Sequence, residues 1–210
     1  MPSTQPPPQP APTGEARAAK QALRRTVLAR RAERDETARE AYGTALADAA
    51  LRTPPVAAVV ASRGCVAAYV GVGSEPRTLP LLDALVARGV EVLLPALGAD
   101  WSMTWGAYGD RDALVAAGRG LLEPAEAPHR LERADLVLLP GLAMGADGMR
   151  LGRGGGAYDR AIAGLTQVLP LLVVLHPDEV GLPVAAEPHD RPVDGALTAD
   201  GLHEVADLAD

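Results

Sequence analysis

A strand, a glycine-rich basic turn and a helix in immediate succession constrain this chain more than any other part of it. Residues 135–140 read Asp135-Leu136-Val137-Leu138-Leu139-Pro140, an apolar run of strand length closed by a proline. Residues 148–160 then read Gly148-Met149-Arg150-Leu151-Gly152-Arg153-Gly154-Gly155-Gly156-Ala157-Tyr158-Asp159-Arg160, and 158–165 have the pattern of a helix. Four glycines within the five positions 152–156 free the backbone for positive φ and let its N–H groups converge on an anion. Arg150, Arg153 and Arg160 add positive charge around them. Phosphates are held at a helix N-terminus in this context, so the stretch is read as a phosphate cradle in an α/β fold. A glycine turn that merely makes room between strand and helix explains the glycines but not the arginines.

The spacing is that of neither common phosphate loop. No Lys followed by Ser or Thr comes after Gly156, as a P-loop requires. A Rossmann fingerprint wants an acidic residue about 20 positions on, where Val173 and Val174 stand.

The rest of the chain supports the same fold class. Strands are predicted over 65–72, 90–94, 101–108, 135–139 and 169–176, with short ones near Leu182 and Ala196. Helices are predicted over 15–34, 36–52, 79–88 and 158–165; 56–62 fits either state, and 112–124 is expected to hold a short helical piece and a turn. Strands alternating with helices call for a three-layer α/β architecture, a mainly parallel sheet flanked by helices on both faces. With 210 residues and 48% apolar content, one domain is expected over 15–210. Residues 1–14 hold six prolines and two glutamines without apolar periodicity, the composition of a disordered extension.

Net charge of −7 and a pI near 5.1 argue against a nucleic-acid surface, because neutralising a phosphate backbone needs a basic face. Cys65 is the single cysteine and has no thiol partner. No apolar stretch approaches the roughly 18 residues of a spanning helix. The expectation is a cytoplasmic monomer that binds neither nucleic acid nor membrane.

Nineteen of the twenty basic residues are arginine, which isolates Lys20. A lysine kept under such a bias fits a place where a compact ammonium must reach a phosphate, though chance survival on a solvated helix face is the plainer reading. Arg24 stands at i+4 and sets a second cation beside it. In open α/β sheets ligands lie beyond the carboxyl ends of the strands, here the loops after Val72, Leu94, Leu139 and His176. The first of these offers Glu75 to fix a polar edge of a ligand, or else Glu75 and Thr78 cap the next helix. His189-Asp190-Arg191-Pro192-Val193-Asp194 is a polar turn in which Asp190, with Asp159, has the chemistry to supply oxygens to a Mg²⁺ otherwise held by phosphates and water; an acidic surface turn is the alternative. The four histidines have no zinc spacing.

Taken in order, Lys20-x-x-Leu23-Arg24, the stretch from Tyr69 to Thr78 with Glu75, Leu122-Glu123-Pro124, Leu139-Pro140-Gly141, Gly148-x-Arg150-Leu151-Gly152-x-Gly154-x-Gly156-x-Tyr158-Asp159 and His189-Asp190-x-x-Val193-Asp194 resemble the signature of the 5-formyltetrahydrofolate cyclo-ligase (5,10-methenyltetrahydrofolate synthetase) family. The resemblance runs from Lys20 to about Thr198. It implies an ATP- and Mg²⁺-dependent cyclisation of 5-formyltetrahydrofolate to 5,10-methenyltetrahydrofolate with release of ADP and phosphate. By the same resemblance Lys20 and Arg24 contact ATP, Arg24 also meets the folate, and Arg150, Leu151, Gly152, Arg153, Gly154, Gly155, Gly156 and Tyr158 wrap the phosphates. Gly154, Gly155 and Gly156 lie between nucleotide and formyl group, and Val70 and Glu75 contact the pterin. Asp159 and Asp190 approach Mg²⁺, and Lys20, Arg153 and Tyr158 stand nearest the chemistry. The chain departs from the family pattern at Ala157, where an aromatic residue is usual, and at Met144-Gly145 in place of Phe-Asp. Tyr69, Trp105 and Tyr108 are candidates for pterin stacking or for core packing. Two alternatives differ in class: a diverged relative that binds folate or nucleotide without turnover, and another enzyme on a related scaffold, such as a sugar-phosphate isomerase, that handles phosphate without ATP.

Overall fold

Before the first strand the chain builds helices α1 (Gly14–Ala32), α2 (Glu36–Ala50) and α3 (Pro54–Ser62) in the computed structural model, which describes residues 14–98, 102–187 and 190–208. The extension expected over 1–14 lies outside the described residues except for Gly14, which begins α1. Asp35 caps α2, its carboxylate accepting from Ala38 N at 2.8 Å. The ambiguous segment becomes helix α3 because prolines occupy its first turn, where no N–H is needed, and Val56 and Val59 fall on one buried face.

There follow β1 (Cys65–Ala67), α4 (Leu79–Val86), β2 (Glu91–Leu97), β3 (Met103–Tyr108), β4 (Leu114–Ala116), β5 (Leu122–Pro124), β6 (Leu136–Pro140), β7 (Ala143–Met144), β8 (Arg150–Leu151), α5 (Ala157–Ala163), β9 (Leu171–Val174), β10 (Gly195–Thr198), β11 (Gly201–Glu204) and α6 (Val205–Leu208). Seven strands form one sheet in the order β11-β10-β9-β6-β1-β2-β3. The inner five run parallel, and β3 and β11 are antiparallel edges.

Alternation along the strands divides the core into two layers. Val66, Val92, Leu94, Leu136, Leu138, Leu172, Val174 and Leu197 face α2, α3 and α4. Their neighbours Ala67, Leu93, Val137, Leu139, Leu171, Val173 and Ala196 face α5 and α6 on the other side. The predicted three-layer α/β architecture is therefore what forms. No helix among the described residues is long and apolar enough to cross a membrane.

Several local expectations are corrected. The strand predicted over 65–72 ends at Ala67; the chain then folds on itself, with Gly71 N donating to Thr78 Oγ1 at 2.9 Å and that hydroxyl donating to Tyr69 O at 2.6 Å. A Cβ on Gly71 would sit 2.0 Å from Pro76 O, so this turn closes only around glycine. The strand predicted over 90–94 continues through Pro95 to Leu97. Leu93 O accepts from Ala68 N, and Pro95, two residues on, turns its missing N–H to the same side, past the end of β1. Residues 114–124 hold the expected short helical piece as a 3₁₀ helix at Gly118–Gly120, but it forms the turn of an unexpected β4–β5 hairpin. No strand forms near Leu182, whose N–H instead donates to Met144 O at 3.1 Å. The β7–β8 ribbon, unexpected from the sequence, carries the chain from β6 into the glycine-rich stretch. Trp101 lies outside the described residues.

His176, just past β9, packs against Tyr42 of α2 with ring centroids 4.2 Å apart. Burial, then the nearby guanidinium groups of Arg34 and Arg31, push its pKa down to about 3. The folded chain thus holds this imidazole neutral while the unfolded chain protonates it below about pH 6.5. Its contribution to stability is full above pH 6.5 and is lost progressively as pH falls toward 3. Denaturant titrations at pH 7.5 and 5 should show a loss from this residue of up to roughly 2 kcal/mol. His176→Gln should flatten that slope, and an unchanged slope would assign it to other groups.

Candidate functional site

The carboxyl ends of β1, β2 and β6 open onto a cavity of about 610 Å³, a size suited to a small-molecule ligand. Tyr69, Val70 and Glu75 come from the loop after β1, Pro95 and Leu97 from the end of β2, and Pro140 and Gly141 from the end of β6. Leu121, Leu122 and Glu123 of the hairpin face them, and residues 152–159 close the cavity. Three of the four loops expected at the site line it. The fourth, after β9, backs it: Glu179 reaches Arg31, which donates to Gly141 O.

A second cavity, of about 520 Å³, lies between α1 and the glycine-rich stretch. Arg17, Lys20, Gln21 and Arg24 form its helical wall, and Glu187 the body side. Arg153 and Gly154 line both cavities, so the partition between them is one arginine and one glycine.

The glycine-rich stretch behaves as its composition predicts. Gly154 and Gly156 take φ of +96° and +67°, which bulkier residues avoid. The backbone N–H groups of Gly152, Arg153, Gly154 and Gly155 donate to no acceptor among the described residues. The α5 helix that follows has only seven residues, so free amides and arginines, more than a helix dipole, make the place attractive to an anion.

Three of the cations here, Lys20, Arg150 and Arg153, are paired with carboxylates. Lys20 Nζ lies 2.6 Å from both Glu187 Oε2 and Asp190 Oδ2. Burial opposes its charge, but hydrogen bonds to Asp190 and Glu187 outweigh that and hold the ammonium above the usual lysine range. Arg153 Nε donates to Glu75 Oε1 at 2.9 Å, while Glu75 Oε2 accepts from Val72 N at 3.1 Å. Arg150 pairs with Asp159 and donates Nη1 to Pro140 O at 2.8 Å; its Nε is buried without a partner. Arg24 Nε donates to Gly152 O at 2.9 Å, binding α1 to the glycine stretch. The Tyr69 and Tyr158 phenols are raised above their ordinary range, chiefly by burial and then by the Glu75 charge, so they remain hydrogen-bond donors.

The structure sorts the expected site residues. Val70, Glu75, Arg150, Gly152, Gly155, Gly156, Tyr158 and Asp159 line the first cavity, Lys20 and Arg24 the second, and Arg153 and Gly154 both. Leu151 buries its side chain against Val27, Leu142 and Ala143, which leaves its backbone as the only part near a ligand. Asp190 sits against Lys20, and His189 lies outside the described residues. Of the stacking candidates Tyr69 lines the first cavity; Trp105 is in the core, and Tyr108 donates to Asp83. Thr78 spends its hydroxyl on the Tyr69–Gly71 turn and makes no side-chain cap to α4. No group of three or more His, Cys, Asp or Glu side chains among the described residues is arranged to hold a metal ion.

Sequence reading passed over Arg17, Gln21 and Glu187 of the second cavity and the apolar wall of Pro95, Leu97 and Met103. Arg17 and Gln21 fall one helical turn from Lys20 and Arg24, a spacing visible in the sequence. Glu187 carries no comparable signal.

The three-layer α/β fold that carries these cavities matches known structures. The solved 5,10-methenyltetrahydrofolate synthetase of Aquifex aeolicus superposes with a TM-score of 0.74 at 24% identity, over 89% of this chain and 92% of that one. The corresponding protein from Mycoplasma pneumoniae gives 0.66 at 18% identity, over 86% and 98%. The model of the 5-formyltetrahydrofolate cyclo-ligase family matches residues 16–199, and this chain belongs to that family. A 5-formyltetrahydrofolate cyclo-ligase of Mycolicibacterium smegmatis is 40% identical over 141 residues, 63% of this chain and 72% of the relative.

Arg150 and Arg160 look alike in sequence but differ here: one is buried against Pro140 O and Asp159, the other exposed. Arg150→Ala should destabilise the fold by about 1–3 kcal/mol, since it strands a buried acceptor and a carboxylate. Arg160→Ala should stay within about 0.5 kcal/mol of the parent in a chemical denaturation series. Equal effects would contradict the tie that Arg150 makes beneath the loop.

Proposed function

We propose that this chain is an ATP-dependent 5-formyltetrahydrofolate cyclo-ligase, with the pterin and formyl group in the first cavity and the nucleotide entering through the second. The observation that carries the reading is the shared wall at Arg153 and Gly154, which brings two ligand-sized cavities into contact at a point of free backbone amides. The triphosphate runs from Lys20 and Arg24 across Gly154 toward Arg150. The formyl oxygen attacks the γ-phosphorus and ADP leaves; N10 then attacks the formyl carbon, loses its proton, and inorganic phosphate departs. Phosphorylation matters because an amide oxygen leaves poorly.

Such a reaction asks mainly for positioning and charge neutralisation. Lys20, Arg24 and Arg153 meet the phosphates, and the glycine amides take the transferring group. Glu75 accepts from pterin N–H groups once Arg153 turns to the phosphate. Tyr158, held protonated, donates and does not act as a base. Mg²⁺ is normally bound by one or two carboxylates together with phosphates and water, a pattern that needs no protein cage. Asp159, on the first cavity's wall, and Asp190, beside Lys20, would hold it here, where it would draw charge from the transferring phosphoryl group.

Purified protein with 5-formyltetrahydrofolate and MgATP should form methenyltetrahydrofolate, read by its absorbance, with one phosphate released per product. Lys20→Ala should raise KM for ATP by roughly 10–100-fold and leave KM for the folate within threefold, as loss of a charge-assisted contact predicts. Glu75→Gln should do the reverse. Absence of ATP-dependent product would reject the activity, and parallel changes in both KM values would reject the assignment of cavities.

A further inference from the structure

Helix α1 supplies one wall of the second cavity, yet the apolar contact that holds it there is small: Val27 is buried against Leu142, Ala143, Leu151 and Val184, with Leu23 and Leu28 half-buried beside it, and its other buried side chains are Lys20 and Arg31. Apolar burial is favourable but non-directional, and three aliphatic side chains, only one of them fully buried, fix the roll and axial register of a helix weakly. Something else must aim Lys20 and Arg24.

Arg31 has the geometry for it. It is fully buried, as is Glu179, and the two meet as a fork, Nε to Oε1 at 2.7 Å and Nη2 to Oε2 at 2.6 Å. Nη2 also donates to Gly141 O at 2.8 Å. The carboxylate is itself fixed, Oε2 accepting from His176 N at 2.9 Å, while Glu179 N closes the turn on His176 O at 3.0 Å. One guanidinium therefore ties α1 to the segments that follow β6 and β9 at the centre of the sheet. A planar bidentate contact restricts rotation in a way that a lysine ammonium or an apolar contact does not.

Lys20, Arg24, Val27 and Arg31 are spaced by four, three and four residues, which puts all of them on one helix face. A rotation by one residue would carry both Lys20 and Arg24 out of the second cavity. Arg31 lines neither cavity and stands 11 residues from Lys20, about 16 Å along the axis. Any effect it has on a ligand is transmitted through the helix.

We propose that the Arg31–Glu179 pair is a positioning device that sets the roll and register of α1, and so governs affinity for the polyphosphate while leaving the folate cavity largely untouched. The idea rests on the assignment of the second cavity to nucleotide. Buried ion pairs are uncertain sources of stability but are well suited to specifying one arrangement, which is the role inferred here.

The test uses full-length protein carrying Glu179→Gln, Arg31→Lys, or the apolar pair Arg31→Met with Glu179→Leu. Calorimetric Kd and kinetic KM are measured for MgATP and for 5-formyltetrahydrofolate, with Tm and amide hydrogen exchange of residues 17–24. In each variant Kd and KM for MgATP should rise about tenfold or more, while the folate values stay within threefold. Exchange at 17–24 should accelerate at least tenfold more than exchange in β6 and β9, and in the apolar pair β6 and β9 should stay unchanged. The apolar pair should keep Tm close to the parent and still bind MgATP weakly. Lowered Tm with both KM values unchanged, equal loss of both ligands, or an apolar pair that restores Tm and ATP affinity together would each overturn the proposal. Hydrogen exchange reads the helix without any ligand: if the parent makes no product but exchange at 17–24 rises as stated, the activity has failed and the positioning has not.

Discussion

A parallel sheet has no face to spare for water. The five parallel strands of this chain are buried on both sides, α2, α3 and α4 covering one and α5 and α6 the other, so polar chemistry is pushed to the strand ends. The carboxyl ends of β1, β2 and β6 carry loops that must both turn the chain and present side chains. Helix α1 belongs to neither covering layer; it packs against the β7–β8 ribbon through Val27, flanked by Leu23 and Leu28, and meets the rest of the body through charge. It is part of the site more than part of the scaffold.

An acidic chain that gathers cations around two cavities has to hold most of them without leaving their charge uncompensated. It does so by pairing: Lys20 with Glu187 and Asp190, Arg153 with Glu75, Arg150 with Asp159. The pairs are not equivalent. Arg153 is half exposed, and pairs of that kind contribute about 0–1 kcal/mol, little enough for a phosphate to displace the carboxylate. Arg31 and Glu179 are wholly enclosed, and removing one partner would leave an uncompensated charge in the interior, about 3–5 kcal/mol by comparison with other buried pairs. The exposed Arg153 pair stands at the partition between the cavities, and the enclosed Arg31 pair stands behind them.

Much of this was legible in the sequence, because the governing signals are local. Apolar runs ended by proline or glycine marked β2, β6 and β9, and the cluster 152–156 marked the cradle before any coordinates. The failures are also physical. Residues 65–72 read as a single strand because Tyr69 and Val70 are as apolar as Val66, whereas what ends β1 is the hydroxyl of Thr78, folding back to bind Gly71 and Tyr69. The hairpin at 114–124 pairs only with itself, and its β5 packs against β2 and β3, contacts absent from a short window. Arg31 carries no signal in the sequence because its partner lies 148 positions away. Leu182 looked like part of a strand and proves to be a rung beside Met144. Composition speaks for a contact when both partners are near in sequence; when they are far apart, it is silent.

The partition at Gly154 carries a consequence for chemical intervention. In the proposed arrangement only the backbone of Gly154 and the Arg153 side chain separate the two reactants, and a side chain added at φ +96° would be strained, with its first carbon meeting the Arg24 guanidinium at 3.6 Å. A bisubstrate inhibitor, a pteridine joined to a polyphosphate by a short tether, would therefore thread above Gly154. The tether needs to be no longer than one peptide unit is thick.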